Sequence, residues 1–512
     1  MSDFESILRG NRYDEERLAL THPEQHRNPT PLPRYNLVVI GAGTGGLISA
    51  LVASSLGAKV ALVERALMGG DCLNVGCVPS KGVIRASRMA AEVREAQSLG
   101  LELREDARID FPQAMERMRR IRAQISREDS VERYSVEFGI DIFLGDAELC
   151  ARDALRVDRA GEVVDLKFKK AVIATGARAV RPAIEGLNEA GYRTNEDFFN
   201  LTELPRRLAV IGGGPIGSEM AQAFRRFGSE VTIFEQAPHF LMREDEDAAQ
   251  LLEGVFRGEG IRIELSSTLL RVERKGDEKV IEFECGDGSR ADVVVDEILV
   301  GAGRAPNVEG LGLEAAGVEY DPRQGIHVND RLQTSNKRIY AVGDVCMAWK
   351  FTHAADAAAK IVVQNALFMG RKKLSDLVMP WCTYTSPEIA HVGLHPREAS
   401  ERHLEIDTYK VPLEENNRAV ADGEENGFVK VHVKRGTDRI VGATVVAAHA
   451  GDLISQLTQA IVGNVGLGTI TNVIFPYPTQ AEAIKRAAGL YTRTRLTPRV
   501  KSLFEKWLAL TR

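Results

Sequence analysis

Cysteine is scarce in this chain: Cys72, Cys77, Cys150, Cys285, Cys346 and Cys382 are all there is in 512 residues. Six scattered cysteines do not make a secreted disulfide scaffold; they fit a reducing compartment with one redox-active pair. Long apolar runs are missing too, and nothing approaches the ~20 residues of a membrane span. The stretch from Met1 to Arg34 is polar, punctuated by Pro23, Pro29, Pro31 and Pro33, and has no signal-peptide core. A cytoplasmic protein is expected. Basic charge is not in excess either: a net charge of −6 argues against a general nucleic-acid binder. What remains is ordinary globular composition, 44% hydrophobic and 27% charged, in a chain long enough for two to four domains.

Order begins at the buried-strand run Tyr35–Ile40, which leads into Gly41-Ala42-Gly43-Thr44-Gly45-Gly46, a small-residue helix, and a second strand ending at Glu64. Gly41 allows the tight turn, Gly43 lets a pyrophosphate approach the helix N-terminus, and Gly46 permits close helix–strand packing. Glu64 stands 23 residues after Gly41, where an acid accepts hydrogen bonds from a ribose. The unit recurs. Arg207–Ile211 runs into Gly212-Gly213-Gly214-Pro215-Ile216-Gly217, and Glu235 again lies 23 residues past the first glycine. Two intact fingerprints in the strand–loop–helix–strand–acid context imply two dinucleotides.

Between them lies Gly69-Gly70-Asp71-Cys72-Leu73-Asn74-Val75-Gly76-Cys77-Val78-Pro79-Ser80-Lys81. Two cysteines five positions apart can close a small disulfide loop, which two electrons open. The alternatives are a pair of structural thiols or half of a metal site. A zinc site, however, needs further Cys or His ligands nearby, and none follows. The segment should start a helix, whose dipole favours thiolate.

From about 380 the texture changes. Thr383–Thr385, Gly427–Val433 and Ile440–Val446 read as an antiparallel sheet, and Asp452–Val462 as a helix over it. Beyond Thr497-Pro498, the residues Val500, Leu503, Phe504, Trp507 and Leu508 fall at helical spacing among Arg493, Arg495, Arg499, Lys501 and Lys506. Such a basic amphipathic helix packs on its own protein or lies on an anionic membrane or a partner.

Together these features resemble the FAD-dependent pyridine nucleotide–disulfide oxidoreductases, over nearly the whole chain from about 35 to 490. Ala174-Thr175-Gly176 and Gly301-Ala302-Gly303-Arg304 are similar to the family's inter-domain junctions. Thr334–Asp344 is similar to its second FAD motif, with Gly343 and Asp344 at the flavin's sugar-like chain. The resemblance implies an α/β fold of two Rossmann-like dinucleotide-binding domains plus a C-terminal α+β interface domain that builds a homodimer. It places an extension at 1–34, a split FAD domain at 35–183 and 305–379, a NAD(P) domain at 184–304, an interface domain at 380–490 and a tail at 491–512. It makes Cys72 the interchange thiol, Cys77 the charge-transfer thiol, and Lys81 with Glu219 the ion pair beside the flavin.

The branch of the family is read from the C-terminal motif. Dihydrolipoamide dehydrogenases and glutathione reductases carry a His-Pro-Thr-x-x-Glu run; here it is Tyr477-Pro478-Thr479-Gln480-Ala481-Glu482. Phenols titrate near 10 and cannot replace an imidazole base at neutral pH. Phe475-Pro476-Tyr477 is instead similar to mercuric reductases, as are Tyr192 and Arg243-Glu244-Asp245. That branch usually ends in a Cys-Cys pair, whereas this chain ends Leu508-Ala509-Leu510-Thr511-Arg512, and the N-terminal metal-binding domain that many of its members carry is not expected here. The resemblance therefore implies electron flow from NAD(P)H through FAD to Cys72–Cys77 and on to a small-molecule or metal-ion acceptor. Dihydrolipoamide dehydrogenase-like, quinone-reducing and non-enzymatic redox-sensing or docking roles are the alternatives. Glu235 followed by Gln236 favours NAD(H), since an acid repels a 2′-phosphate; Arg243 leaves NADP(H) open.

Overall fold

The computed structural model describes residues 10–101 and 109–512, so the first nine residues of the extension lie outside it. The described chain divides into two compact units, Met1–Gln236 with Ile261–Leu377, and Ala237–Gly260 with Val378–Arg512.

The first unit opens on helix α1 (Arg12–Thr21), capped by the Asn11 side chain and ended just ahead of Pro23. The four prolines all follow this ten-residue helix. Its inner face, spaced three and four residues apart, is Asp14, Arg17 and Thr21, all wholly buried. Asp14 meets Arg122 at 2.6 Å, Arg17 at 3.3 Å and Arg119 at 3.8 Å. Asp14→Asn leaves those guanidinium groups without their counter-charge, which should lower stability by about 3–5 kcal/mol, read in denaturant unfolding.

Strand β1 (Tyr35–Ile40) pairs in parallel with β2 (Val60–Glu64), and β2 with β3 (Asp141–Leu144). The antiparallel strands β4 (Asp146–Ala151) and β5 (Ala154–Arg159) join through β6 (Glu162–Ile173), which also pairs in parallel with β1 and with Ile339–Ala341. The central residues of the parallel strands, Leu37–Ile40, Val60–Val63 and Ile142–Leu144, are apolar because both faces of that sheet are covered. Helix α2 (Thr44–Ser55) follows β1, and α3 (Gly70–Asn74), α4 (Cys77–Glu95) and α5 (Phe111–Ser126) follow β2. A second parallel sheet has the order 262–264, 230–234, 207–211, 297–300, with a three-stranded antiparallel sheet from 268 to 295 beside it in sequence.

The second unit is a five-stranded antiparallel sheet, ordered 380–383, 388–393, 440–447, 428–434, 406–412. The first of these strands stops at Thr383, so Tyr384 and Thr385 fall beyond it, where the chain bends toward Pro387. Helices Ala450–Val462 and Glu482–Arg495 pack on the sheet core. Segment 237–260 belongs to this unit. Glu244 accepts hydrogen bonds from Trp381 Nε1 and the Thr383 hydroxyl, at 3.0 and 3.1 Å, and Lys430 bridges Asp245 and Asp247. Burial holds the Glu244 carboxyl up to about 7. The tail helix Pro498–Leu510 has no fully buried residue, and Leu503, Phe504, Trp507 and Leu508 stand exposed on it. No helix among them is long and apolar enough to cross a membrane.

Candidate redox site

The two glycine loops are built alike. Gly41 and Gly212 adopt φ of +98° and +105°, and a Cβ on either would strike a carbonyl, Ala174 O at 2.5 Å or Gly301 O at 2.8 Å. At Gly46 and Gly217 a Cβ would overlap the carbonyls of Gly41 and Gly212, so each helix start sits hard against its strand end. Gly43 and Gly214 cap α2 and the helix Pro215–Phe227 with no side-chain bond, and a Cβ at Gly214 would meet nothing within 4 Å. That is the open, donor-rich helix terminus a pyrophosphate occupies. Each acid hooks its own loop: Glu64 accepts from Ala42 N at 2.6 Å, and Glu235 from Gly213 N at 2.8 Å. Burial pushes the Glu64 carboxyl up, against its backbone donors. Both cradles fit a dinucleotide.

The junction motifs close around the first cradle. Thr175 and Asn307 exchange hydrogen bonds at 2.8 and 2.9 Å, beside Gly176 with φ of +68°. Past Gly303, with φ of +118°, Arg304 reaches Asp344 at 3.2 Å, the Ala177 carbonyl at 2.7 Å, and Asp71 at the head of the cysteine segment. Burial pushes the Asp344 carboxyl up, with Arg304 and Lys350 opposing. Gly343 has φ of +81°.

Cys72 lies in α3 and Cys77 is the first residue of α4, with Gly76 at the N-cap. Both cysteines carry free thiols, and the hydrogen bond between them separates them chemically. Cys72 donates, which together with burial pushes its thiol up. Cys77 accepts, and that bond, Thr352 and the Lys81 ammonium hold its thiol down to about 6, against desolvation. Thr352 Oγ1 stands 3.4 Å from the Cys77 sulfur, at the first turn of the helix Thr352–Leu367. Lys81, one turn into α4, pairs with the buried Glu219 at 2.9 Å. Cys77 and Lys81 open onto a cleft of about 380 Å³ lined also by Arg85, Arg117, Ile121 and Ile125. A thiol held down in this way, a lysine ion pair and two nucleotide cradles form a setting in which bound cofactors would pass electrons to a sulfur pair.

Tyr192 packs on the apolar cluster around Ala209 and Ile298, three residues before Asn195, which donates to the Val75 carbonyl at 3.3 Å. Tyr477 is 69% exposed and accepts a hydrogen bond from Asn417 at 3.0 Å; Glu482 heads the helix that follows. Arg243-Glu244-Asp245 belongs to the second unit. Sequence reasoning missed Thr352, Asn195, Arg17 and Arg122. Thr352 and Asn195 carry no local signal, because topology alone brings them to the cysteine loop.

The fold and site define a flavoprotein oxidoreductase that uses FAD and a nicotinamide dinucleotide. The chain belongs to the pyridine nucleotide–disulphide oxidoreductase family, matching it over residues 35–359 and matching its dimerisation domain over 379–488. It is 34% identical to a mercuric reductase of Staphylococcus aureus, over 89% of this chain and 82% of that one. It is 33% identical to a dihydrolipoyl dehydrogenase of Thermus scotoductus, over 89% and 96% of the two chains. Among solved structures it resembles the Cu(II) complex of the HOCl-induced flavoprotein disulfide reductase RclA from Escherichia coli. That likeness has a TM-score of 0.80 and 28% identity, covering 90% of this chain and all of the other.

Proposed function

We propose that the protein takes electrons from NADH and delivers them through FAD and the Cys72–Cys77 pair to a soft, thiol-binding metal ion, in the manner of a mercuric reductase. The carrying observation is the phenol of Tyr477 in the C-terminal motif, where thiol-reducing relatives have an imidazole, together with a Cys77 thiol held down to about 6. Bound FAD supplies two-electron transfer between the nicotinamide and the sulfurs. The chain's own residues do the rest. The Lys81–Glu219 pair fixes a cation beside Cys77, the α4 N-terminus and Thr352 stabilise its thiolate, and Cys72 keeps its proton until an acceptor arrives. Two electrons break the sulfur–sulfur bond to leave that pair, and two reduce Hg(II) to Hg(0). The mercuric reductase relatives and the Cu(II) bound to RclA support this acceptor class.

The enzyme works as a homodimer in the cytoplasm, with Tyr477 serving the cysteine pair of the partner subunit and Tyr192 completing the site. The tail helix contacts an anionic surface. A second reading draws on the cleft, whose Arg85 and Arg117 beside Ile121 and Ile125 suit an organic acceptor such as a quinone. An acceptor screen with NADH tests both: Hg(II), Cu(II), lipoamide, glutathione disulfide and quinones, with and without alkylation of Cys72. Metal reduction lost on alkylation supports the first reading. Quinone reduction that survives alkylation supports the second.

NADH should give a higher kcat/KM than NADPH, because Glu235 presents an acid where NADPH carries its 2′-phosphate. Glu235→Ala with Gln236→Arg should shift the preference toward NADPH. A wild-type preference for NADPH of about tenfold, ~1.4 kcal/mol, would contradict the assignment.

A further inference from the structure

The N-terminal extension reaches the redox loop directly. Arg17 of α1 donates to the Asn74 side-chain oxygen at 3.1 Å, and Arg122 of α5 donates to the Asn74 main-chain carbonyl at 2.8 Å. Asn74 lies between the two cysteines and spends its own amide on the carbonyls of Met68 and Gly70, at 3.1 and 2.9 Å. The next carbonyl, Val75, is held by Asn195. The end of α1 grips the same segment upstream, with the Thr21 carbonyl accepting from Met68 N at 3.2 Å and His22 bonded to the Ala66 carbonyl.

Arg17, Arg119 and Arg122 are 0%, 3% and 1% exposed around a single buried carboxylate. Such a cluster is a poor way to gain stability, since well-packed apolar side chains of similar volume do as well or better. What the guanidinium groups supply is charge-assisted bonds at fixed positions. Arg122 lands on the Asn74 backbone and Arg17 on its side chain, which is itself tied to the Met68 and Gly70 carbonyls, so both hold a segment that must stay still while the flanking sulfurs move between contact and a bond of about 2.05 Å.

We propose that α1 is a brace for the redox loop: Arg17 and Arg122, clamped by Asp14, are positioning residues that hold the chain between Cys72 and Cys77 so that the sulfur pair closes without reorganising its backbone. The brace rests on the reading of Cys72–Cys77 as the redox pair. Holding reacting groups in place raises their effective concentration, here that of one thiol toward the other.

The test is the equilibrium of the holoenzyme with reduced and oxidised dithiothreitol, where closing one Cys72–Cys77 bond opens the cyclic disulfide of oxidised dithiothreitol. Acid quenching, alkylation and mass mapping read the fraction closed. Arg17→Met and Arg122→Met should lower the constant for closing the loop by about tenfold or more while the circular dichroism of the folded state is kept. Arg17→Lys should recover part of the loss. If either methionine variant fails to fold, the lysine variant at that position carries the test, with its loss expected to exceed threefold. Constants within twofold of wild type in the folded variants overturn the brace. If wild type forms no bond between Cys72 and Cys77, the redox-pair reading itself fails.

Discussion

Tyr477→His should raise turnover of lipoamide and glutathione disulfide by about 10²-fold, within the 10²–10⁴ that general acid–base help supplies. Dithiol–disulfide exchange moves a proton to and from the attacking thiol, and Cys72 is the member of the pair whose proton is held tightly. A phenol does not shuttle that proton at neutral pH, whereas an imidazole titrates within reach of it. Glu482 keeps the glutamate of the His-Pro-Thr-x-x-Glu run, so the substitution restores the full motif. Tyr477→Phe should leave the low disulfide activity almost unchanged but impair reaction with a soft metal ion, where the phenol oxygen can ligate. Steady-state lipoamide turnover decides the matter. Wild-type rates equal to those of a good dihydrolipoamide dehydrogenase would remove the basis for the mercuric-reductase-like reading.

Cys72→Ser and Cys77→Ser should each cut metal-ion turnover by about 10³-fold or more, the scale on which loss of an essential nucleophile is read. Their optical signatures should differ. With FAD bound, a two-electron-reduced enzyme should show a long-wavelength charge-transfer band from the Cys77 thiolate. Cys77→Ser should abolish it, and Cys72→Ser should keep it. The band should also follow pH. Because the Cys77 thiol is held down to about 6, the thiolate and the band persist at pH 7 and fade as pH falls through about 6. A band retained by Cys77→Ser would reverse the thiol roles.

The dinucleotide cradles and the cysteine loop were legible in sequence because their chemistry is written locally. Gly41 and Gly212 need positive φ, Gly46 and Gly217 leave no room for a Cβ, and the acids fall at a fixed distance along the chain. The Lys81–Glu219 pair could be expected only through resemblance, as its partners are 138 residues apart. The buried face of the extension had a different obstacle. Asp14, Arg17 and Thr21 fall at helical spacing ahead of the first proline, but polar residues at that spacing read as a solvated face. The matching signal was present on α5, where Arg122 stands at a core position four residues after the buried Met118. Charged residues at apolar register positions on two segments were the readable trace of their pairing. The placement of 237–260 with the second unit had no such trace, since Glu244 and Asp245 look like ordinary surface acids until Trp381, Thr383 and Lys430 surround them.

The exposed tail helix gives the protein a built-in optical probe. Of three tryptophans, Trp507 stands 64% exposed on that helix among Leu503, Phe504 and Leu508, whereas Trp381 is tied to Glu244. Its emission should be red-shifted and open to acrylamide while the helix faces water. Once the apolar face is covered by an anionic lipid surface, the emission should move to the blue and the quenching should fall. Added salt should reverse both changes, because any hold that the flanking arginines and lysines have on an anionic surface is a screened attraction. A spectrum indifferent to anionic vesicles would leave the helix without a lipid partner. Tail docking can therefore be titrated by light alone, without a label and without measuring turnover.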